Sequence, residues 1–368
     1  MSKVNQKKID HILLSLVVLM VAIGFMIFSS AALGLMSRSG VSFTSAASGQ
    51  FVFGVLGGGL AMFIVSNIYY RHWRKYAFYI FLFTIILTLM VFTPLGMSHG
   101  GATRWLNLGI TTLQPSEFLK LGLVIYLATW LSGVHNKINR WRYGLVPFGG
   151  IVGLVAIVML IQPDTDSFLI VAFASLAMYL TAGARWRDIM IIAVLGITLL
   201  AVVAMVRPYI MDRLTNFIHP EADPQGTGYQ VQQSLIAIGS GGITGRGFGQ
   251  SIQKFQYLPE PTSDSIYAVY GEEFGFVGSL FLISLFIFIA LRGYRIATKT
   301  TDIFGTLLIV GFMTMIIGQA FLNIAAMLAI APLSGLPLPF ISHGGTALMA
   351  TLASIGIVLN VSKYRKTR

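Results

Sequence analysis

HILLSLVVLMVAIGFMIFSSAALGLM, from His11 to Met36, decides what kind of protein this is. The run carries no Lys, Arg, Asp or Glu and exceeds the roughly 20 apolar residues that span the hydrocarbon of a bilayer. A basic start (Lys3, Lys7, Lys8) precedes it, and Ser30-Ala31-Ala32 could pass for a signal-peptidase site. The run continues well beyond a signal-peptide core, so an uncleaved first span is expected. Similar runs follow near 50–70, 76–94, 117–134, 144–162, 165–183, 188–206, 266–291, 303–327 and 340–362. Lipid offers the backbone no hydrogen-bond partners and the runs lack barrel-type alternation, so they must be helices. The expectation is an all-α polytopic membrane protein of about ten transmembrane helices, one membrane domain over 1–368.

Composition agrees. The chain is 55% hydrophobic and 10% charged, with a mean hydropathy of +0.78, where a soluble domain carries about 25% charged residues. The net charge of +12 does not point to nucleic acid. Arg71, Arg74 and Lys75, then Lys137, Arg140 and Arg142, then Arg185 and Arg187, then Arg292, Arg295 and Lys299, and the tail Lys363, Arg365, Lys366 and Arg368 occupy alternate connections. The positive-inside rule therefore puts both termini and those loops in the cytoplasm. Arg38, the 95–116 loop, Asp164, Asp166, the 207–265 insert and Pro332 to Pro339 fall on the opposite face. With no cysteine, neither disulfides nor thiol chemistry is available.

The long insert between spans seven and eight, 207–265, is the expected extracytoplasmic loop. Its glycine-rich run Gly239 to Gly249 lacks a Gly-Lys-Ser/Thr ending and a preceding strand, which argues against nucleotide binding. Glycines do let a backbone approach a ligand, and with Arg213, Arg246 and Lys254 nearby a pyrophosphate is a fitting guest. Asp264 precedes span eight, where it can cap the helix or act as a general base. Glu272 and Glu273 fall about 12 Å further along that helix, as a hydrogen-bond anchor or part of a substrate groove.

Three other clusters share the face. Ser116, after Pro115, is a candidate N-cap; Glu117 and Lys120 share a helix face, and Arg104 and Lys120 can clamp an anionic headgroup. Gln162-Pro163-Asp164-Thr165-Asp166 reads as a capped hairpin or as a carboxylate beside the main loop. Pro332 to Gly345 is too proline-rich for regular helix, and Gln319 and Asn323 can hydrogen-bond such irregular backbone. His343 can titrate or simply pack. The six histidines show no metal-ligand spacing.

Together, Arg104-Trp105, Gln114-Pro115-Ser116-Glu117 with Lys120, Gln162-Pro163-Asp164, Gly228-Tyr229-Gln230, Gln233-Ser234, Gly239 with Gly241-Gly242, Pro259-Glu260, Asp264, Gly271-Glu272-Glu273 and Pro337-Leu338-Pro339-Phe340 closely resemble the SEDS family of bacterial cell-wall proteins, to which FtsW, RodA and SpoVE belong. The Gly271-Glu272-Glu273 and Tyr257-Leu258-Pro259-Glu260 forms are more similar to the FtsW branch than to RodA, favouring division over elongation. Thr262-Ser263-Asp264-Ser265 stands where the family has His-Thr-Asp-Phe, Asp166 where it has Gly, and Ser342-His343 where it has Ser-Tyr.

The resemblance implies a peptidoglycan glycosyltransferase in the bacterial cytoplasmic membrane that polymerises lipid II, with Asp264 catalytic. It also implies a class B penicillin-binding protein as transpeptidase partner, among divisome or elongasome proteins and membrane lipids. Arg104, Lys120, Arg213, Arg246 and Lys254 are candidates for the leaving pyrophosphate. Glu117, Asp164, Gln233, Ser234, Glu260, Glu272, Glu273 and His343 complete the candidate substrate site. No cofactor is required by the sequence, and a divalent cation (Mg or Mn) can share the charge. A lipid II flippase and a non-catalytic scaffold for a transpeptidase are the competing readings.

Overall fold

The computed structural model describes residues 8–39, 47–99, 102–107, 109, 112–219 and 226–365. Lys3, Lys7, Gly100, Gly101, Lys366, Arg368, the side chain of Arg38 and residues 220–225 of the insert lie outside the described residues.

Eight helices among these residues are long and apolar enough to cross a membrane. Six of them, in the expected order, are α1 (His11–Ser39), α2 (Ala47–Asn67), α3 (Arg71–Leu89), α4 (Pro115–Val134), α7 (Trp186–Val206) and, after the insert, α11 (Ile266–Thr298). The last two are α12 (Ile303–Met327) and α13 (Gly345–Ser362). Two shorter apolar helices, α5 (Leu145–Ile161) and α6 (Thr165–Thr181), fall where the fifth and sixth spans were expected. The chain is a helical multi-pass membrane protein. Helices α12 and α13 are mostly buried, whereas α7 turns almost its whole surface outward.

Part of the 95–116 loop is a three-stranded antiparallel sheet, which apolar-run reading does not foresee. Strands β1 (Gly96–His99), β2 (Ala102–Asn107) and β3 (Thr112–Leu113) pair in that order, with Met97 opposite Trp105 and Leu106 opposite Leu113. Ser116 does not cap α4: Gln114 holds the N-cap position and the Ser116 hydroxyl is buried without a partner among the described residues.

The insert is not a plain surface loop. It contains α8 (Pro208–Ile218), α9 (Thr227–Ser240) and the short α10 (Gln253–Gln256), and α9 packs along α11. Helix α11 is broken at Gly275, whose φ of 63° and ψ of −160° are non-helical. The turn after α9 is spliced into the break. Phe276 and Val277 donate their N–H groups to Gly242 O and Ile243 O at 2.9 and 3.1 Å, while Arg246 and Gly247 donate to Glu272 O and Glu273 O, both at 3.0 Å. Exposed Ile243, Phe248, Phe276 and Val277 surround this splice, a setting for lipid, where every backbone group needs an internal partner. Glycine is required on both sides. A Cβ on Gly275 would stand 2.4 Å from Gly245 N, and one on Gly245 would stand 2.1 Å from Glu273 O.

Candidate active site

The approach to α11, Tyr257 to Ser265, is a tight turn. Two prolines flank Glu260, which takes a left-handed φ of 46°, and the N–H groups of Ser263 and Ser265 both return to Glu260 O. Such strain in a non-glycine residue persists only where surroundings over-determine it.

The surroundings here are the proline-broken segment before α13. His343 N–H donates to Thr262 O at 2.7 Å, the Ser342 hydroxyl to Ser263 O at 2.6 Å, and Asn323 Nδ2 to Asp264 O at 2.7 Å. Three successive carbonyls are thus held. The broken segment is itself secured: Asn323 Nδ2 also donates to Leu336 O at 2.8 Å, and Gln319 Nε2 to Pro337 O at 2.8 Å. That is the role expected for Gln319 and Asn323 from sequence.

Asp264 is partly buried beside this junction. It is not the helix cap, a position taken by Ser265 without a side-chain cap bond. The Ser265 hydroxyl reaches its Oδ1 only at 3.5 Å, and Gln230, whose amide donates to Ser265 Oγ at 2.9 Å, is close by. Loss of hydration pushes the Asp264 carboxyl up to about 7, the negative charge of Glu260 adds to the rise, and the Gln230 hydrogen bond opposes it. Next to it opens a groove of about 530 Å³ whose wall includes Glu260, Thr262, Ser263, His343, Gln50 and Trp105. Asp264 follows these lining residues directly in the chain. The His343 ring, stacked on Phe28 with centroids 5.5 Å apart, faces the groove.

Each of the five basic residues that are candidates for the pyrophosphate stands beside an acid. Lys254 is wholly buried, bonded to Glu273 Oε1 at 2.7 Å, Ser30 Oγ at 2.8 Å and Gly249 O at 2.9 Å. Lys120 is buried between Glu117 Oε1 at 2.8 Å and Gln319 Oε1 at 2.9 Å, so Glu117 and Lys120 reinforce the broken segment. Arg213 pairs with Asp166 at 2.6 Å, and the same Asp166 oxygen accepts from Gly335 N–H at 3.1 Å. Arg246 lies 3.5 Å from Glu272. Arg104 bonds Pro163 O and stands 3.8 Å from Asp164.

The acids deeper in α11 are anchors rather than groove walls. Glu272 accepts from the Ser251 hydroxyl at 2.6 Å and from the N–H groups of Ile252 and Gln253 at 3.1 and 3.2 Å. Glu273 accepts from Ser30 at 2.6 Å as well as from Lys254. Of the two expected for them, the hydrogen-bond role is the one the geometry supports. Ser234 is buried and bonded to Gln230 O at 2.8 Å, with Gln233 beside it half-exposed. Among the described residues no three His, Asp or Glu converge as metal ligands. Sequence reading missed Gln50, Gln230 and the backbone of 262–264. Gln230 was visible in Gly228-Tyr229-Gln230, but nothing marked Gln50, a polar residue opening an apolar run.

A helical membrane bundle with a partly buried, weakly partnered carboxylate beside a groove at one end defines a class, and known proteins narrow it. The chain matches the cell cycle protein family of FtsW, RodA and SpoVE over residues 10–367, and it belongs to that family. It is 35% identical over 359 residues to stage V sporulation protein E of Bacillus subtilis, covering 97% of this chain and 98% of that one. It is 37% identical over 318 residues to a probable peptidoglycan glycosyltransferase FtsW of Geobacter metallireducens, covering 86% and 84%. Among solved structures, the rod shape determining protein RodA of Thermus thermophilus aligns with a TM-score of 0.70 at 27% identity, over 98% of each chain. A chain described in work on structural coordination of polymerization and crosslinking by a peptidoglycan synthase complex aligns at 0.79 with 28% identity, over 97% and 99%.

Proposed function

We infer that this protein is a peptidoglycan glycosyltransferase that polymerises lipid II into glycan strands in a bacterial cytoplasmic membrane. The observation that carries the reading is Asp264, a carboxyl lifted to about 7 beside a groove of about 530 Å³, in a chain whose relatives bear that activity in their names. A base of that strength is half ionised at neutral pH and accepts a proton well, a contribution of typically 10²–10⁴-fold. Asp264 takes the proton from the acceptor sugar's 4-hydroxyl. That oxygen bonds to the donor's anomeric carbon as the bond to the pyrophosphate oxygen breaks, and polyprenyl pyrophosphate leaves with the electron pair. Arg104, whose chain neighbour Trp105 lines the groove and whose side chain is partly accessible, is the basic residue best suited to meet that charge. Lys120 and Lys254 are sealed in the scaffold and act through it.

The FtsW names among the relatives favour a role in division. A transpeptidase of the class B penicillin-binding type is the partner suggested by the synthase-complex neighbour. Basic alternate loops favour cytoplasmic termini. Reporter fusions after Lys75, Gly226 and Arg368 should read inside, outside and inside; an inside reading at Gly226 removes the groove from its substrate.

The deciding experiment gives the purified protein fluorescent lipid II. Wild type should yield polymer, and Asp264→Asn, inserted and folded, almost none. Translocation without polymer would favour a flippase, and neither would favour a scaffold.

A further inference from the structure

Asn323 lies on α12, far in sequence from the turn that carries Asp264, and is wholly buried. Its two amide hydrogens go to different elements, one to Asp264 O at 2.7 Å and one to Leu336 O at 2.8 Å. Two acceptors on one side fix the amide's orientation. Its Oδ1 is buried with no hydrogen-bond partner among the described residues, an arrangement that costs stability.

Local geometry around Asp264 gives the reason. The Ala268 N–H bonds to Ser265 O at 3.0 Å rather than reaching back to Asp264. The Asp264 carbonyl is therefore turned away from the first turn of α11 and toward α12. Since a residue's carbonyl and side chain share one Cα, fixing the carbonyl direction restricts where the carboxylate can point. Ser342 and His343 restrain Ser263 and Thr262 in the same way, but only Asn323 among the described side chains grips both Asp264 itself and the broken segment.

We propose that Asn323 is a positioning residue for the glycan-forming reaction: by bridging Asp264 O and Leu336 O it aims the Asp264 carboxylate into the groove and locks the proline-broken segment at a fixed distance from it. The proposal rests on the reading of Asp264 as general base. A donor is essential at this position, since an acid of the same shape would set its charge against two carbonyl oxygens. Misplacing a reacting group by about 1 Å can cost on the order of 100-fold in rate.

The test uses the full-length protein in proteoliposomes with fluorescent lipid II, comparing Asn323→Ala and Asn323→Asp with Asn360→Ala. Asn360 is an equally buried asparagine whose amide donates to Ser66 O at 2.7 Å and accepts from Tyr70 N–H at 2.8 Å, tying α13 to the α2–α3 corner away from the groove. Both Asn323 variants should lower turnover at saturating lipid II by about 10- to 100-fold, with half-saturation within about 2-fold. The acid limb of the pH–rate profile should move to lower pH, because a loosened Asp264 regains water. Asn360→Ala should leave turnover and profile unchanged once melting curves correct for folded protein. Should the Asn323 variants fail to fold, Ser342→Ala, which removes the donor to Ser263 O, carries the test, with about a 3-fold fall and the same direction of shift. Near wild-type turnover with an unmoved acid limb overturns the role of Asn323. Polymer from Asp264→Asn would instead overturn the reading of the base, so the two failures are distinct.

Discussion

Carboxylates within one helix and just before it are treated in opposite ways. Glu272 and Glu273, deep in α11, are tied to other segments: hydroxyls, backbone amides, a lysine and an arginine converge on them. Asp264, at the mouth of the same helix, has a hydroxyl at 3.5 Å and the Gln230 amide, while its backbone is gripped firmly. An acid that accepts from several partners on other segments joins those segments together. An acid whose backbone is fixed and whose carboxyl is left under-partnered is poised to exchange protons.

The comparison breaks most sharply if the losses fail to separate. Asp264→Asn should cut polymerisation by about 10²-fold or more at normal yield. Glu273→Gln should do the reverse, leaving Lys254 buried without its counter-charge and lowering stability by about 3–5 kcal/mol, while the folded fraction keeps a rate within about 3-fold of wild type. Yield, melting temperature and specific activity of both variants decide it; a stable, inactive Glu273→Gln protein would move that residue into the reaction.

A second expected effect is the pH profile. With the Asp264 carboxyl near 7, the working form is the ionised one, so rate should fall about tenfold for each unit below that value. Initial rates from pH 5 to 9 test this, and a profile flat down to pH 5 would mean a base of ordinary strength.

The splice offers a smaller effect. Gly275→Ala should cost about 1–3 kcal/mol, since alanine at that φ is strained and its methyl meets the 243–245 backbone. Gly239→Ala, in helix with nothing within 4 Å of its added carbon, should be neutral or stabilising. Paired thermal melts compare the two.

Smallest is the stability side of Asp264. A raised folded-state pKa contributes stability that is full below about pH 4 and is lost as pH climbs through about 7. Asp264→Asn should therefore raise the melting temperature at pH 8, by about 2 °C or more, less at pH 5, and hardly at pH 3 to 4.

Much of this was legible beforehand, because apolar length is a property of consecutive residues. The helices from His11 to Ser362 fall near the expected spans, and Gln319 and Asn323 declared themselves as polar residues in an apolar run facing a proline-rich break. The partners of the basic residues were less legible. Charge can be counted along a chain, but pairing depends on neighbours distant in sequence, as with Lys254 beside Ser30 and Lys120 beside Gln319. The sheet at 96–113 escaped because its strands are short and turn few residues into the core. The splice at Gly275 escaped because its bonds join two segments that look unremarkable when read separately.

That splice has a consequence for inheritance. Two intrahelical bonds given up at Gly275 are replaced by four bonds to the turn at 242–247, so neither segment is complete without the other. A change that lets Gly275 rejoin a regular helix strands the turn's amides and carbonyls in lipid, and a change that reshapes the turn leaves the helix open with nothing to close it. Residues 242–247 and 272–277 should accordingly drift through related genomes as one unit, with substitutions in one tolerated only beside matching substitutions in the other.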